Sequence, residues 1–403
     1  MRICYIDHYA GGPSLGMEYR PHAMARQWQL RGHEVCLIAG SYSHLRHHNP
    51  QVDTEGAPQV IDGVTYRFIT TRRYEGNGAG RVLSMADFVG RGMLAARRIA
   101  ATLRPDVVIA SSTYPFDTWL AARIARIAGA RLVHEVHDLW PLTPMELGGH
   151  SPHHPFMWLM AQAEKSAYRN SSVIVSILPN IEPHVRGLGI STPVVHVPNG
   201  VEVSGPCDPA PEAIVSLVDA LHAQGRRVIG YAGGMATSNA MDDFIAAMGM
   251  LTSEPITAVL IGDGVLRADH EAQAAALGAD VRFAGVVPKS SILDTLRQMD
   301  ALYIGSQASP LYEFGVSANK IFDYMLSGVP IVNAFATHHS PMIYAGCTLV
   351  AEGGNPASIA EAVRRALALD EAEARRLGEL GITYVTQHHD IAKLADDFLN
   401  AIS

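Results

Sequence analysis

Two polar residues follow directly after a short β-branched segment in the first half of the chain. Arg131–Val136 has the pattern of a buried strand, and His137 and Asp138 come immediately after it. A strand that ends in this way places both side chains at the edge of a parallel sheet, where ligands bind. His137 can donate a hydrogen bond to an oxygen atom that leaves or enters during a reaction. Because side chains alternate along a strand, His134 points away from His137, and we expect a structural histidine there rather than a shared metal site.

A second polar group lies at the predicted start of a helix in the second half of the chain. Ser317 is expected to cap this helix, so that Asn319 and Lys320 lie in its first turn and Asp323 lies one turn further along. A lysine is unfavourable near a helix N-terminus, but an anion such as a diphosphate bound there would explain it. Asp323 is suited to accept hydrogen bonds from a ribose. The alternative is a solvated lysine and an ordinary helix acid.

Two glycine-rich loops each follow the first strand of a predicted domain. One covers residues 9–16 and includes Gly12 and Gly16, and the other covers residues 230–235 and includes Gly233 and Gly234. Glycine lets the backbone approach an anionic ligand closely, although tight turns between strand and helix also require it. The first loop lacks the Gly-x-Gly-x-x-Gly spacing, and no acidic residue ends the second strand, so it is not a dinucleotide fingerprint.

These residues are positioned by a regular alternation of short apolar strands and amphipathic helices. The alternation predicts an α/β protein with two doubly wound, Rossmann-like domains, each a mainly parallel sheet with helices on both faces. Pro198-Asn199-Gly200 breaks the pattern, a short irregular stretch runs through Gly205-Pro206, and the pattern restarts at Arg227. We therefore place the domains at residues 1–200 and 201–387, and we expect a cleft between them.

Composition limits the classes to which the protein can belong. The chain has 403 residues, of which 48% are hydrophobic and 17% charged, and this favours two globular domains. The four cysteines are too far apart to form a zinc knuckle or a disulfide framework. No uninterrupted apolar stretch is long enough to span a membrane, and Asp7 comes too early for a signal peptide. We expect a cytosolic protein.

Charge is distributed unevenly along the sequence. The net charge is −8, but the first 190 residues carry +4 and the remaining 213 carry −12. The basic half can meet an anionic partner such as a membrane surface, or the asymmetry can be ordinary surface variation. No basic run is interleaved with aromatic residues, so we expect no nucleic-acid partner.

Several segments resemble, in the same order and over nearly the whole chain, the retaining GT-B glycosyltransferases of family four. The segments that carry the resemblance are Gly32–Val35, the His-Asp strand end at 137–138, Pro198–Val201, Ile261–Gly264, Asn319–Met325 and Gly328–Val332. Within that family, three further segments look like the bacterial enzymes that build O-antigen, capsule or exopolysaccharide, namely Gly16–His22, Ala39–Arg46 and Tyr74–Arg81.

The resemblance implies transfer of a hexose or N-acetylhexosamine from a nucleoside-diphosphate sugar, with uridine as the favoured base. The acceptor would be a glycan or a polyprenyl-diphosphate-linked sugar. The first domain would bind the acceptor, the second the donor, and a last helix (388–403) would pack back on the first domain. The implied catalytic residues are His137, Lys320 and Asp323. The implied donor-binding residues are Gly12, Gly16, Gly233, Gly234, Gly285, Val287, Glu313, Ser317, Asn319, Lys320 and Asp323. The implied acceptor-binding residues are Tyr19, Arg20, His22 and Asp138.

The sequence departs from the family pattern at two places. Asp323 replaces the second residue of the usual Glu-x7-Glu pair, and the position eight residues before it is Gly315. The arginine and lysine that usually follow the second glycine loop are absent. We therefore expect Lys320, helped by Arg20, to neutralise the diphosphate. With this charge we expect no obligatory metal and no enzyme nucleophile.

Two further questions remain open at this level. The helix over residues 84–103 has an apolar face and a basic face, which fits either contact with the inner membrane surface or an ordinary core helix. Three other functions remain as alternatives: a nucleotide-sugar epimerase of the same fold, a catalytically silent GT-B partner subunit and, less favoured, a nicotinamide-dependent oxidoreductase.

Overall fold

A computed structural model of the chain describes residues 1–16, 19–76, 78–205 and 207–403. The chain divides into two compact units. Unit 1 comprises Met1–Asn199 together with Ile391–Ser403, and unit 2 comprises Gly200–Asp390. The expected segments 16–22, 74–81 and 205–206 include residues 17, 18, 77 and 206, which lie outside the described residues.

Unit 1 contains a sheet in which eight strands are described, in the order β3-β4-β2-β1-β5-β6-β7-β8. Neighbouring strands are parallel except for β3 and β4, which are antiparallel. The strands are β1 (Arg2–Ile6), β2 (Glu34–Gly40), β3 (Pro58–Ile61), β4 (Val64–Ile69), β5 (Val107–Ala110), β6 (Arg131–Val136), β7 (Val173–Ser176) and β8 (Val194–His196). The helices are α1 (Tyr19–Leu30), α2 (Ala79–Leu103), α3 (Asp117–Ala128), α4 (Leu142–Glu146), α5 (Pro155–Asn170), α6 (Glu182–Gly187) and, at the end of the chain, α15 (Ile391–Ile402).

Both faces of this sheet are covered, because side chains alternate along each strand. In β1, Tyr5 belongs to the hydrophobic cluster on one face and Ile6 to the cluster on the other. Helix α15 packs on the first of these faces, where the indole of Trp28 donates a hydrogen bond to the carbonyl of Ala395 (3.0 Å) and contacts the ring of Phe398. The last helix is thereby part of the core of unit 1.

Unit 2 contains a parallel sheet in the order β11-β10-β9-β12-β13-β14. Its strands are β9 (Arg227–Ala232), β10 (Ile256–Ile261), β11 (Val281–Gly285), β12 (Ala301–Gly305), β13 (Ile331–Ala334) and β14 (Thr348–Val350). Its helices are α7 (Glu212–Ala223), α8 (Met241–Gly249), α9 (Arg267–Leu277), α10 (Ile292–Arg297), α11 (Asn319–Ser327), α12 (Pro341–Ala345), α13 (Pro356–Leu367) and α14 (Glu371–His388). Short 3₁₀ turns cover Thr237–Asn239, Lys289–Ser291 and Pro310–Phe314. Hydrophobic clusters lie on both faces of this sheet as well.

The predicted α/β class with two doubly wound, mainly parallel sheets is confirmed. Several short elements were not expected from the sequence, and β3 and α7 are among the unexpected ones. Strand β3 pairs with β4 through a tight turn at Asp62-Gly63, where both residues have positive φ. Helix α7 occupies part of the stretch before Arg227, and its Ile214, Val218 and Leu221 form a buried stripe at helical spacing. Among the described helices, none is long and apolar enough to cross a membrane.

Candidate functional site

In each unit, one point of the sheet lies between strands whose connections run in opposite directions. In unit 1 this point lies between β1 and β5, and in unit 2 between β9 and β12. Ligands of open α/β sheets bind outside the carboxyl ends of the strands at such a point. The loops that follow β1 and β5 in unit 1, and β9 and β12 in unit 2, are therefore the places where a functional site is expected, and the loop after β6 lies beside the first pair.

The carboxylate of Glu135, the fifth residue of β6, is fully buried in unit 1 and is surrounded by hydrogen-bond donors. One oxygen accepts from Nε of Arg20 (2.8 Å), and the other accepts from the hydroxyls of Ser111 (2.6 Å) and Tyr5. The imidazole Nε2 of His137 lies 3.2 Å from the second oxygen and 2.8 Å from the Ser111 hydroxyl. The Ser111 hydroxyl donates to Glu135, so it accepts from His137 and Nε2 carries a proton. The four partners come from four different segments of unit 1.

The charges in this network set the ionisation of both titratable groups. Burial alone raises the pKa of the Glu135 carboxyl, but the positive charges of Arg20 and His137 hold it well below its usual range. Burial lowers the pKa of His137, but the Glu135 carboxylate outweighs this effect and leaves the pKa raised. His137 is therefore stabilised as a cation. With Nε2 directed at Glu135 and Ser111, Nδ1 is the ring nitrogen that can carry a proton towards a ligand.

The position of Arg20 differs from the expectation that it binds the acceptor or helps to neutralise a diphosphate. Its guanidinium is buried and donates to Glu135, to the carbonyl of Pro198 (2.5 Å) and to the carbonyl of Val197 (2.8 Å). These contacts tie α1 to β6 and to the segment after β8. The geometry makes Arg20 a positioning residue for Glu135, and it does not support a direct contact with a ligand.

In the first glycine loop, close packing against neighbouring side chains explains why glycine occurs at positions 12 and 16. His22 contacts the hydroxyl of Tyr66 through Nδ1 (3.0 Å), and a Cβ at Gly12 would lie 3.1 Å from the same nitrogen. Gly16 has a φ of +79°, and a Cβ there would lie 2.3 Å from the ring of His47. Burial lowers the pKa of His22, which favours its neutral form. This loop requires glycine for its own fold, whatever ligand it meets.

Asp138 and Tyr19 were also expected to bind the acceptor, and among the described residues neither belongs to the hydrogen-bond network around Glu135. Asp138 accepts from the backbone of Leu139 (2.8 Å), the indole of Trp140 (3.0 Å) and the hydroxyl of Thr143, and these bonds organise the loop after β6. Tyr19 is partly buried in the first turn of α1. Within the described ranges, no group of three or more His, Cys, Asp or Glu side chains is arranged to hold a metal ion.

In unit 2 the second glycine loop packs against the loop that follows β10. The amide of Gly233 donates to Ile261 (2.9 Å), and a Cβ at Gly262 would lie 2.0 Å from the carbonyl oxygen of Gly233. Gly234 faces open space, since a Cβ there would meet only the carbonyl of Asp263, at 4.0 Å. The two loops therefore require glycine at position 262 for contact with each other, whereas at position 234 the chain itself leaves room for a side chain.

The amine of Lys320 lies beside this loop. Nζ donates to the amide oxygen of Asn239 and to the hydroxyl of Tyr231 (3.3 Å), and it lies 4.9 Å from the centre of the Tyr231 ring. Asn239 and Tyr231 both donate in turn to the carbonyl of Gly234, at 2.9 and 2.8 Å. Burial lowers the pKa of Lys320 to about 7. Three of the predicted donor-binding residues, Gly233, Gly234 and Lys320, are thus brought together.

Asp323 lies one turn beyond Asn319 in α11 and forms an ion pair with Lys289, which was not predicted. The Asp323 side chain is mostly buried, with 12% of its surface exposed, whereas 51% of the Lys289 side chain is exposed. A ribose that reached Asp323 would meet a carboxylate that already has one cationic partner.

The helix cap predicted at Ser317 is wrong. Helix α11 begins at Asn319 with Ala318 as its N-cap residue, and no side chain caps it. Ser317 is buried and Asn319 is exposed. The backbone next to Ser317 is held instead by Val316, whose amide donates to the carbonyl of His339 (3.1 Å).

The remaining predicted donor-binding residues surround the ends of β11 and β12. Gly285 has a φ of +78°, and its carbonyl accepts from the amide of Gly262 (2.7 Å). Val287 is partly buried against the hydrophobic cluster on one face of the sheet. Glu313 is exposed in the 3₁₀ turn after β12.

Sequence reasoning missed six polar residues of these two groups: Tyr5, Ser111 and Glu135 in unit 1, and Tyr231, Asn239 and Lys289 in unit 2. Glu135 stands two positions before His137, so the sequence shows its charge. Its other three partners, however, lie 24 to 130 positions away along the chain. Asn239 follows the second glycine loop, a segment in which the sequence shows neither arginine nor lysine. An amide in a glycine loop is a weak signal unless its partner is known.

Two protein families match the chain, one in each unit. Residues 16–200 match the glycosyl transferase 4-like domain, and residues 226–369 match the glycosyl transferases group 1 domain. Together these matches cover most of both parallel sheets. The chain carries two glycosyltransferase domains in a GT-B fold.

Solved structures show the same fold over essentially the full length of this glycosyltransferase. Sucrose-phosphate synthase from Thermosynechococcus elongatus is 14% identical, with a TM-score of 0.75 over 99% of this chain and 98% of that one. Anabaena HepE, in complex with UDP and glucose, is 17% identical, with a TM-score of 0.68 over 99% and 98%. WaaG, a glycosyltransferase involved in lipopolysaccharide biosynthesis, is 13% identical, with a TM-score of 0.69 over 100% and 99%. Among curated proteins, none matches this chain in sequence.

Proposed function

We propose that this glycosyltransferase transfers a hexose or N-acetylhexosamine from a uridine-diphosphate sugar, with retention of configuration, during synthesis of a bacterial surface polysaccharide. The observation that carries the proposal is the position of the Lys320 amine beside the Gly233–Gly234 loop. This arrangement stands at the carboxyl end of a parallel sheet, in the domain that matches the group 1 glycosyltransferases. It offers an anion an amine that can take up a positive charge and an open stretch of backbone.

In this proposal unit 2 binds the donor and unit 1 binds the acceptor. The diphosphate meets Gly233, Gly234 and Lys320, the ribose meets Asp323, and the base meets the backbone over 285–287. The choice of uridine is supported by HepE, a structural neighbour that was solved with UDP and glucose. Glu313, Ser317 and Asn319 complete the surroundings of the donor as predictions from the sequence.

The chemistry consists of one displacement at the anomeric carbon. The bond from this carbon to the diphosphate oxygen breaks, the bond to the acceptor oxygen forms on the same face, and the leaving phosphate takes the acceptor proton. No enzyme nucleophile is required. Lys320 and the loop amides stabilise the negative charge on the diphosphate, so we propose that no metal ion is needed. His137, whose charged form is favoured by Glu135, donates a hydrogen bond to the donor sugar through Nδ1.

The proposed acceptor is a glycan or a polyprenyl-diphosphate-linked sugar at the inner membrane surface. The structural neighbour WaaG is involved in lipopolysaccharide biosynthesis, and this supports the class of product. Helix α2 carries Arg91, Arg97 and Arg98 and exposes 87% of Leu94. Such a surface suits contact with anionic lipid. Flotation with phosphatidylcholine vesicles, with and without phosphatidylglycerol, tests this part, and binding that is independent of the anionic lipid contradicts it.

The first experiment is a thermal-shift panel with UDP, GDP, ADP and NAD in the presence of EDTA. A ligand at about a hundred times its dissociation constant stabilises the folded state by about 2.7 kcal/mol, which shifts the melting temperature visibly. A shift with UDP alone supports the proposal. A shift with NAD alone refutes it, and no shift with any of the four favours the silent partner subunit.

A second experiment tests the reaction itself without a known acceptor. UDP-glucose, UDP-galactose and UDP-N-acetylglucosamine are each incubated with the enzyme, and slow hydrolysis is followed by proton NMR. Water replaces the acceptor, so retention predicts that the α-anomer of the free sugar appears first. Early appearance of the β-anomer contradicts retention, and an isomerised nucleotide-sugar identifies an epimerase.

A further inference from the structure

The Asn239 amide connects the Lys320 amine to the glycine loop. Its NH₂ group donates to the carbonyl of Gly234 (2.9 Å), so its oxygen must face the amine, and Nζ donates to that oxygen. Tyr231 is arranged in the same way, because its hydroxyl donates to the same carbonyl (2.8 Å) and accepts from Nζ (3.3 Å). Two neutral side chains, both oriented by Gly234, thus each offer one acceptor to Lys320.

This arrangement fits an uncharged amine better than an ammonium group. A neutral amine has two N–H bonds, and the two acceptors satisfy both, whereas an ammonium group has a third N–H bond. In the part of the chain that the structure describes, Lys320 has no carboxylate partner. The nearest acidic residue along α11, Asp323, is paired with Lys289.

The two side chains that contact the amine are uncharged at neutral pH. Strand β9 contributes Tyr231, whose pKa burial raises well above its usual value, and the 3₁₀ turn contributes Asn239. On α11, burial also raises the pKa of Tyr324, and its hydroxyl bonds to the backbone of Ala232. Burial without a counter-charge lowers the pKa of Lys320 to about 7. A bound phosphate would supply the missing negative charge.

We infer that Asn239 is a positioning residue that holds Lys320 as an uncharged amine beside Gly234, and that binding of a diphosphate makes this amine take up one proton. The proton comes from the solvent and forms the third N–H bond, which is directed at a phosphate oxygen. The inference rests on the proposed function, since it takes the nucleoside diphosphate as the ligand. It also accounts for the absence of the arginine and lysine that usually follow this loop.

Proton uptake can be measured directly by isothermal titration calorimetry of the full chain with UDP. Titrations near pH 8 in two buffers with different ionisation enthalpies give the number of protons taken up. The terminal phosphate of UDP, with a pKa of about 6, is already ionised there and contributes no proton. We expect uptake approaching one proton per UDP at this pH.

Variants separate the role of Asn239 from a merely structural one. Lys320→Met removes the uptake. Asn239→Asp places a carboxylate next to Nζ, so Lys320 is charged before the ligand arrives; uptake disappears and UDP binds about tenfold or more weakly. Asn239→Gln, which retains the amide, should restore part of the uptake. Lys165→Met, a lysine of α5 in unit 1, is the matched control and should bind UDP with unchanged uptake.

The outcomes distinguish this inference from the proposed function. UDP binding without proton uptake overturns the inference and leaves the glycosyltransferase proposal in place. Uptake that persists in Lys320→Met, in a variant that melts as cooperatively as the wild type, also overturns it. If UDP, GDP and ADP all fail to bind the wild type, the proposed function fails and the inference fails with it.

Discussion

The imidazole Nε2 of His137 lies 3.2 Å from the buried carboxylate of Glu135, and the hydroxyl of Ser111 bridges the two at 2.8 and 2.6 Å. A carboxylate behind a histidine fixes the orientation of the ring and stabilises its charged form. His137 lies at the end of β6, where a ligand is expected, whereas Glu135 is inaccessible. Glu135 therefore acts on any ligand only through His137.

Removing the Glu135 charge should lower the pKa of His137 below its ordinary value. In Glu135→Gln, burial and the positive charge of Arg20 remain while the opposing carboxylate is lost. The measurement is an NMR titration of labelled histidine, with His137→Asn for assignment. Turnover near neutral pH should fall as well. Ser111→Ala is the control, since it removes a hydrogen bond but keeps the carboxylate, and the pKa of His137 should remain raised. An unchanged His137 pKa in Glu135→Gln contradicts the prediction.

Replacing Arg20 should destabilise the whole of unit 1. Arg20→Met leaves the buried Glu135 charge without its main partner, which costs about 3–5 kcal/mol of unfolding free energy. Urea unfolding followed by circular dichroism measures it. The exposed pair of Arg2 and Asp106 is the matched control, because Arg2→Met removes a solvent-screened ion pair and should cost far less unfolding free energy. If both variants lost the same unfolding free energy, burial of the Arg20–Glu135 pair would make no contribution to stability.

Gly262 and Gly234 should respond differently to the same change. Gly262→Ala places a methyl group 2.0 Å from the carbonyl oxygen of Gly233 at a positive φ, so it should destabilise unit 2 by a few kcal/mol. Gly234→Ala meets no atom closer than 4.0 Å, so the melting temperature should change little while UDP affinity falls. Unaltered UDP affinity in Gly234→Ala would mean that the diphosphate does not approach this loop.

Asp323 and Lys289 form one ion pair but should contribute differently to donor binding. Asp323→Asn weakens an acceptor for ribose hydroxyls and should raise the KM for the UDP-sugar by about tenfold. Lys289 is half exposed, so Lys289→Ala should change stability by less than about 1 kcal/mol. In that variant Asp323 is free to accept from the ribose, and the KM should not rise. Steady-state kinetics of UDP release measures both, and equal increases in KM would assign the role to the pair rather than to Asp323.

Stability should fall in mild acid, in part because of His134. This residue is buried, and burial lowers its pKa to about 4. The unfolded chain, with a histidine pKa of about 6.5, binds more protons between pH 6.5 and 4, so His134 lowers the unfolding free energy as pH falls through this window. The expected contribution is on the order of 3 kcal/mol. His134→Asn should flatten the pH dependence over the same range. If His134→Asn changed the unfolding free energy by the same amount at every pH, the pH dependence would not come from His134.

The sequence by itself determined the two parallel sheets and most of the strand-end segments at which function is expected. Apolar alternation marks β1, β6, β9 and β12, and parallel strands must end at a common edge, so residues that directly follow them can be placed without coordinates. His137, Gly233 and Gly234 were predicted in this way. Local patterns also revealed Lys320, because a cation near a helix N-terminus needs an explanation.

The tertiary structure decided which of these residues act together. Glu135 takes its partners from positions 5, 20, 111 and 137, and Lys320 takes Asn239 from 81 positions earlier in the chain. Hydrogen bonds between such distant positions depend on how the loops fold, and the hydrophobic periodicity of the sequence carries no information about this. For the same reason Arg20, expected at a ligand, proved to be a buried support, and Ser317, expected as a cap, lies outside the helix. Periodicity reports which face of an element is buried, whereas the partner of a buried charge is fixed only when the elements pack.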